Sequence, residues 1–151
     1  MATKAKDQAA IDERAREPMA FFPHDSNAAS DIKCRRLIRR SGVEGYGRWW
    51  LLCELLAATK GHAIPIESEE DVLVIADALK FGSSAFDEYL VIEDCKKFID
   101  CVIELELVRL TDDGKIVSDR MTNNSQYFGR QRFNGGKGGR PRKNKPADEG
   151  M

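Results

Sequence analysis

Two helical runs punctuated by Gly42 and Gly61, two more with one apolar side, and an Asp113-Gly114 turn between short apolar segments predict a mainly α, α+β fold. The order helix, short strand, helix, helix and β-hairpin is that of a winged helix-turn-helix-like domain with a short β-hairpin wing and disordered termini. A chain of 151 residues fits one compact domain plus tails, and a hydrophobic fraction of 42% suffices for a core. The expected division is a flexible N-terminal arm over 1–17, the domain over 18–119, a polar connector open to helix over 120–134, and a disordered basic tail over 135–151.

Each element follows from local signals. Residues 1–17 offer few apolar side chains to pack and read as a frayed helix or as no structure, and Pro18 breaks any helix there. Phe21 and Phe22 are expected to tuck onto the domain. Ser26 or Asn27 offers a cap for a first helix from about Ala28 to Ser41. Cys34, Leu37 and Ile38 cluster on one side of it, while Lys33, Arg35, Arg36, Arg39 and Arg40 take the other. Ile32 interrupts that basic side and is expected to lie under the Phe21-Phe22 arm. Gly42 stops the helix.

The second helix, about Glu44 to Thr59, is apolar nearly all round and so should be the central one. Trp49 and Trp50 project about 100° apart, which buries one and leaves the other at the core's edge. Gly61 ends this helix, and His62 to Ile66 reads as a short strand that Pro65 marks as an edge. Ser68 followed by Glu69, Glu70 and Asp71 starts a helix presenting Val72, Leu73, Ile75, Ala76 and Leu79, which ends at Gly82. Ser83 to Leu90 has room for a short helical turn, and Glu93 to Glu106 reads as a helix packing through Phe98, Ile99, Val102, Ile103 and Leu105. Leu107 to Thr111 and Lys115 to Ser118 then flank a two-residue turn, Asp113-Gly114, whose positions both need positive φ. Gly135 to Gly139 reads as a linker.

Several function classes are excluded. No apolar run approaches the roughly 18–20 residues that cross a bilayer, and the first twenty residues lack a secretory apolar core, so a cytoplasmic location is expected. Cys34, Cys53, Cys95 and Cys101 contain no C-x-x-C pair, and only His24 and His62 could join them, so no metal or cofactor is expected. Cys53 and Cys101 fall among apolar neighbours as small core residues. No catalytic constellation stands out. Asp25 should satisfy backbone donors at a helix entrance, and Gly45-x-Gly47 lacks the strand and spacing of a phosphate loop.

The net charge of −1 hides a split. From Arg120 onward eight Lys/Arg face two acids, a balance of +6, so the preceding 119 residues carry −7. Between Gly129 and Pro146 lie Arg130, Arg132, Lys137, Arg140, Arg142, Lys143 and Lys145 with no acid. Such a tail seeks phosphate backbones by releasing counterions. The helix placed to enter a major groove carries Lys96 and Lys97 among Glu93, Asp94, Asp100, Glu104 and Glu106, and Asp112 and Asp113 make the wing tip acidic. Those carboxylates oppose groove insertion. The basic side of the first helix (Lys33, Arg35, Arg36, Arg39, Arg40) is the weaker of the two candidate DNA contacts.

Two resemblances add to this reading. Phe22, Pro23, Asp25, the basic helix, Gly42, Gly45-Tyr46-Gly47 and Trp50 together resemble the N-terminal domain of phage and prophage replisome-organiser proteins, of the replication-initiator and helicase-loader type. The resemblance spans about the first two thirds of the chain. It implies a winged-helix-like fold and a non-catalytic DNA-binding role in replication initiation, with DNA as partner and a replisome protein or helicase as a second. Gly139-Arg140-Pro141-Arg142-Lys143 resembles the core of an AT-hook, in which an extended Arg-Pro segment lies in a narrow A·T-rich minor groove. DNA contact is therefore expected mainly through the tail. A small winged-helix transcriptional regulator and a protein-interaction adaptor with an acidic docking domain remain as alternatives. Oligomeric state is not legible.

Overall fold

The computed structural model describes residues 2–82 and 87–136. Mainly helical, it contains α1 (Ala2–Ala15), α2 (Ile32–Ala58), β1 (Ala63–Pro65), α3 (Glu69–Ala78), α4 (Glu88–Glu104), β2 (Arg109–Leu110), β3 (Lys115–Val117) and α5 (Asp119–Gly136). The three strands form one antiparallel sheet in the order β1-β3-β2. Ile64 pairs with Ile116 across β1 and β3, and Leu110 with Ile116 across β2 and β3. Pro65 lies on an edge strand, where its missing N–H breaks no ladder.

Apolar side chains of α2, α3 and α4 build the core, with Leu37, Leu52, Leu56, Ile75, Leu79 and Val102 fully enclosed and Ile116 closing it from the sheet. Trp49 is buried and Trp50 half-buried, the division expected of adjacent helical positions. The α3 start follows its sequence signal: Asp71 N–H donates to Ser68 Oγ and Ser68 N–H to Asp71 Oδ2, each at 3.1 Å. The helix ends at Ala78, four residues before Gly82. Arg48 holds that end, donating to the Leu79 carbonyl at 3.2 Å while its guanidinium lies 3.8 Å from the centre of the Phe81 ring.

Several expectations are corrected. The first helix starts at Ile32, four residues late, because Ala28–Ser30 forms a 3-10 turn and Asp31 caps α2 by accepting from Lys33 N–H at 2.9 Å and Cys34 N–H at 3.4 Å. Ser26 and Asn27 are not that cap. Gly42 does stop the first helix: its φ of 70° and ψ of −174° are non-helical, and a second helix follows across a kink within the span Ile32–Ala58. Ile32 stays 55% exposed, since Phe22 packs on Trp50 and Phe21 on Phe128 instead. The fourth helix begins at Glu88, where Asp87 accepts from Tyr89 N–H at 3.0 Å, five residues before the expected start.

The hairpin loop has three residues, Asp112-Asp113-Gly114, not two. Thr111 N–H donates to Lys115 O at 2.7 Å and Gly114 N–H to Thr111 O at 3.1 Å, and within the loop only Gly114 has positive φ, at 75°. A left-handed glycine thus closes a three-residue hairpin loop.

The expected arm over 1–17 is helix α1, which packs along α5. The expected connector and the first two residues of the tail are α5, which runs through Gly136. These helices meet through small residues and backbone: a Cβ on Gly129 would lie 2.7 Å from Ile11 O and 2.9 Å from Ala15 Cβ. Buried His62 anchors the end of α1 to the body, its ring nitrogens 2.8 Å from Ala15 O and 2.9 Å from Leu56 O. Arg132 adds two bonds of 2.9 Å, to Arg14 O and Pro18 O. No apolar stripe announces this pairing in either sequence.

Candidate nucleic-acid interface

The five cations of the first half of α2 divide by partner. Cys34 and Leu37 are buried and Ile38 half-buried, which turns Arg35, Arg36, Arg39 and Arg40 outward. Lys33 Nζ donates to Glu106 O at 3.0 Å, and Arg40 pairs with Glu104 at 2.9 Å. Both thus meet the C-terminal end of α4, where backbone carbonyls carry partial negative charge. Arg35, Arg36 and Arg39 remain exposed and make no ion pair among the described residues. Three of the five cations therefore keep their charge facing solvent.

A groove of about 760 Å³ opens beside this segment, lined in part by Lys33, Trp49, Arg109, Leu110 and Arg120. Its cations are already engaged. Arg109 pairs with Asp119 at 3.1 Å and Arg120 with Asp25 at 2.9 Å, so the groove is charge-balanced and no anion seat. The Asp25 carboxylate does not cap a helix, as the sequence suggested. That task falls to Asp31, and Asp25 instead joins the N-terminal segment to α5.

The remaining motif residues gather round Trp50. Phe22 lies parallel to it with centroids 6.1 Å apart, His24 stacks at 3.5 Å, and Tyr46 meets it edge-on at 6.2 Å. Arg120 lies 5.9 Å from the centre of the same ring. Gly45 is buried where any Cβ would collide with the Ser41 Cβ, next to the Gly42 break. Gly47 has open space and Pro23 is exposed. The motif therefore builds the seat of the N-terminal segment on α2.

α4 presents Asp94, Asp100 and Glu104 to solvent beside Lys96 and Lys97, and the hairpin tip presents Asp112 and Asp113. A hydrogen bond from the Thr111 hydroxyl, helped by nearby Lys115, holds the Asp113 carboxyl below the usual range, so the tip stays negative. Cys53 and Cys95 are thiols pushed up to about 12 by burial, Cys34 is raised for the same reason, and Cys101 is half-buried.

Of the tail residues, Arg130 is exposed on α5, whereas Arg132 is spent on the carbonyls at the end of α1. Lys137, Gly139, Arg140, Pro141, Arg142, Lys143 and Lys145 lie outside the described residues, and with them the AT-hook-like run. Sequence reasoning missed the structural use of Lys33, Arg40 and Arg132, because each bonds to a group 60 or more positions away, two of the three to backbone carbonyls. Among the described residues no helix is long and apolar enough to cross a membrane.

A family model described as Lin1244/Lin1753-like, N-terminal, matches residues 21–118, and the chain belongs to that family. The match begins at Phe21 and ends at Ser118, spanning the aromatic seat, α2 and the sheet and leaving out α1 and α5. No curated protein and no solved structure matches the chain.

Proposed function

We propose that this member of the Lin1244/Lin1753-like family is a non-catalytic, cytoplasmic DNA-binding protein of phage or prophage replication initiation, in which a winged-helix-like domain presents basic surfaces away from its nominal recognition helix. The observation that carries the reading is the sorting of charge. Arg35, Arg36 and Arg39 stand exposed and without ion pairs among the described residues, while the exposed positions of α4 and of the hairpin tip are rich in acid. Phosphates are attracted to the first surface and repelled by the second. The order α2, β1, α3, α4, hairpin, with β1 paired to β3, supports the winged-helix reading. The replication role rests on the sequence resemblance of the Phe22-to-Trp50 motif.

Fluorescence anisotropy across a salt series tests it, with A·T-rich duplex, G·C-rich duplex and single strand as probes. Ending the chain after Gly136 removes Lys137, Arg140, Arg142, Lys143 and Lys145, which should flatten the duplex salt slope by up to about 4.5. Replacing Arg35, Arg36 and Arg39 by Ala should flatten it by up to about 3. Absence of binding by the full chain at low salt overturns the proposal. That result would favour an adaptor docking a basic partner on the exposed acids of α4.

A further inference from the structure

The outward side of α5 carries chemistry used neither by the core nor by the α2 arginines. Asn123, Tyr127, Arg130 and Asn134 recur at helical spacing and are all exposed, so they form one stripe along the helix. Tyr127 is 57% exposed and meets Phe128 edge-on, with centroids 5.4 Å apart. Phe128 also meets Phe21 edge-on at 5.0 Å, and Phe21 is 69% exposed. Two exposed rings are thus held in place by a half-buried third. Around Tyr127 the sequence carries charge of one sign, with no Asp or Glu from Arg120 to Ala147, and Asp12 of α1 is bonded to Gln126 at 3.1 Å.

We propose that Phe21 and Tyr127 form a stacking platform for unpaired bases of a single-stranded nucleic acid, with Arg130 one turn beyond Tyr127 on its phosphates. The proposal rests on the nucleic-acid reading above and assigns it a strandedness and a second surface. Exposed aromatic faces accept any base, whereas the bases of a duplex are already stacked on one another. Asn123 and Asn134 add amide donors and acceptors suited to base edges. Arg130 supplies a cation one turn from Tyr127, and residues 120–147 add no carboxylate of their own, which suits a phosphate chain. A protein partner docking on the same rings would need neither the missing acids nor Arg130.

Affinity should be measured by anisotropy on the full chain with an oligothymidine of about 20 nucleotides, longer than one such site needs, and with a duplex of equal length. Phe21→Ala with Tyr127→Ala should weaken single-strand binding by about 100-fold, roughly tenfold per ring, and duplex binding by less than about twofold. Tyr127→Trp keeps a stacking ring and should restore single-strand binding in the Tyr127 variant. Arg130→Gln should flatten the single-strand salt slope by about 0.7. Circular dichroism and a melt confirm that each variant is folded. Unchanged single-strand affinity in the double alanine variant overturns this inference and leaves the proposed function standing, as does a wild-type chain that binds duplex alone. A wild-type chain that binds neither probe overturns both.

Discussion

Gly129→Ala tests whether backbone proximity is what docks α1. The added methyl would sit 2.7 Å from Ile11 O and 2.9 Å from both Ala15 Cβ and Ala15 N. Ordinary contact begins near 3.4 Å, and none of these atoms can rotate away, so α1 must lift by roughly 0.5–0.7 Å. Overpacking of that kind costs about 1–3 kcal/mol, and the better helix propensity of Ala in α5 returns up to about 1. The net cost to docking is about 1–2 kcal/mol, a 5- to 30-fold rise in the undocked population. A 14-residue polar helix is marginal alone, so undocking should unfold it. The body is cored by α2, α3, α4 and the sheet and should keep its stability. Hydrogen exchange resolved by residue is the assay: α1 amides should lose 5- to 30-fold in protection while those of α3 and α4 do not change. Equal loss throughout would refute the reasoning, because α1 would then belong to the same cooperative unit. No loss would refute backbone proximity at Gly129 as what docks α1.

Asp31→Ala should cost about 1 kcal/mol in urea unfolding by removing the cap of α2, whereas Asp25→Ala, which breaks only an exposed pair, should cost about 0.2–1. If the two costs are reversed, the cap assignment is wrong. Gly114→Ala should lower stability by about 1 kcal/mol because its φ of 75° disfavours a side chain, whereas Asp113→Gly, at a position without positive φ, should bring no gain. Cys53 and Cys95, with thiols near 12, should resist iodoacetamide at pH 8.5 in the folded protein and react on unfolding; prompt native labelling would contradict their burial. Since both folded values lie above the ordinary thiol value of 9.0, their contribution to stability is complete below pH 9 and declines from there toward pH 12, where the unfolded chain ionises first. Urea midpoints at pH 8 and 10 should show that decline, and it should shrink in a Cys53→Ala, Cys95→Ala variant.

The charge split between domain and tail, the α3 capping box, the edge position of Pro65 and the burial of one of two adjacent tryptophans were all legible in the chain. Each depends on residues within a turn or two of one another, where spacing fixes direction. The helix ends at Ile32 and Glu88 were misplaced because several capping residues stood in competition, and only the packed backbone selects Asp31 and Asp87 among them. The three-residue hairpin loop was missed because Asp113-Gly114 fits two turn types, and the register of β2 on β3 chooses between them.

By itself, then, the sequence determined a mainly helical domain with a small sheet, an acidic body and a basic end, because amphipathic period and charge are properties of neighbours along the chain. Only the tertiary structure decided which cations are free. Lys33, Arg40 and Arg132 reach across 60 or more positions to a carboxylate or to carbonyls, while Arg35, Arg36, Arg39 and Arg130 face outward. It decided that α1 is a docked helix and not a loose arm, since a polar segment with little apolar surface is held only against a partner, and its partner, α5, lies more than a hundred residues away. The proposed aromatic platform has the same origin: Phe21 and Tyr127 share Phe128 only because the segment before α2 packs on α5.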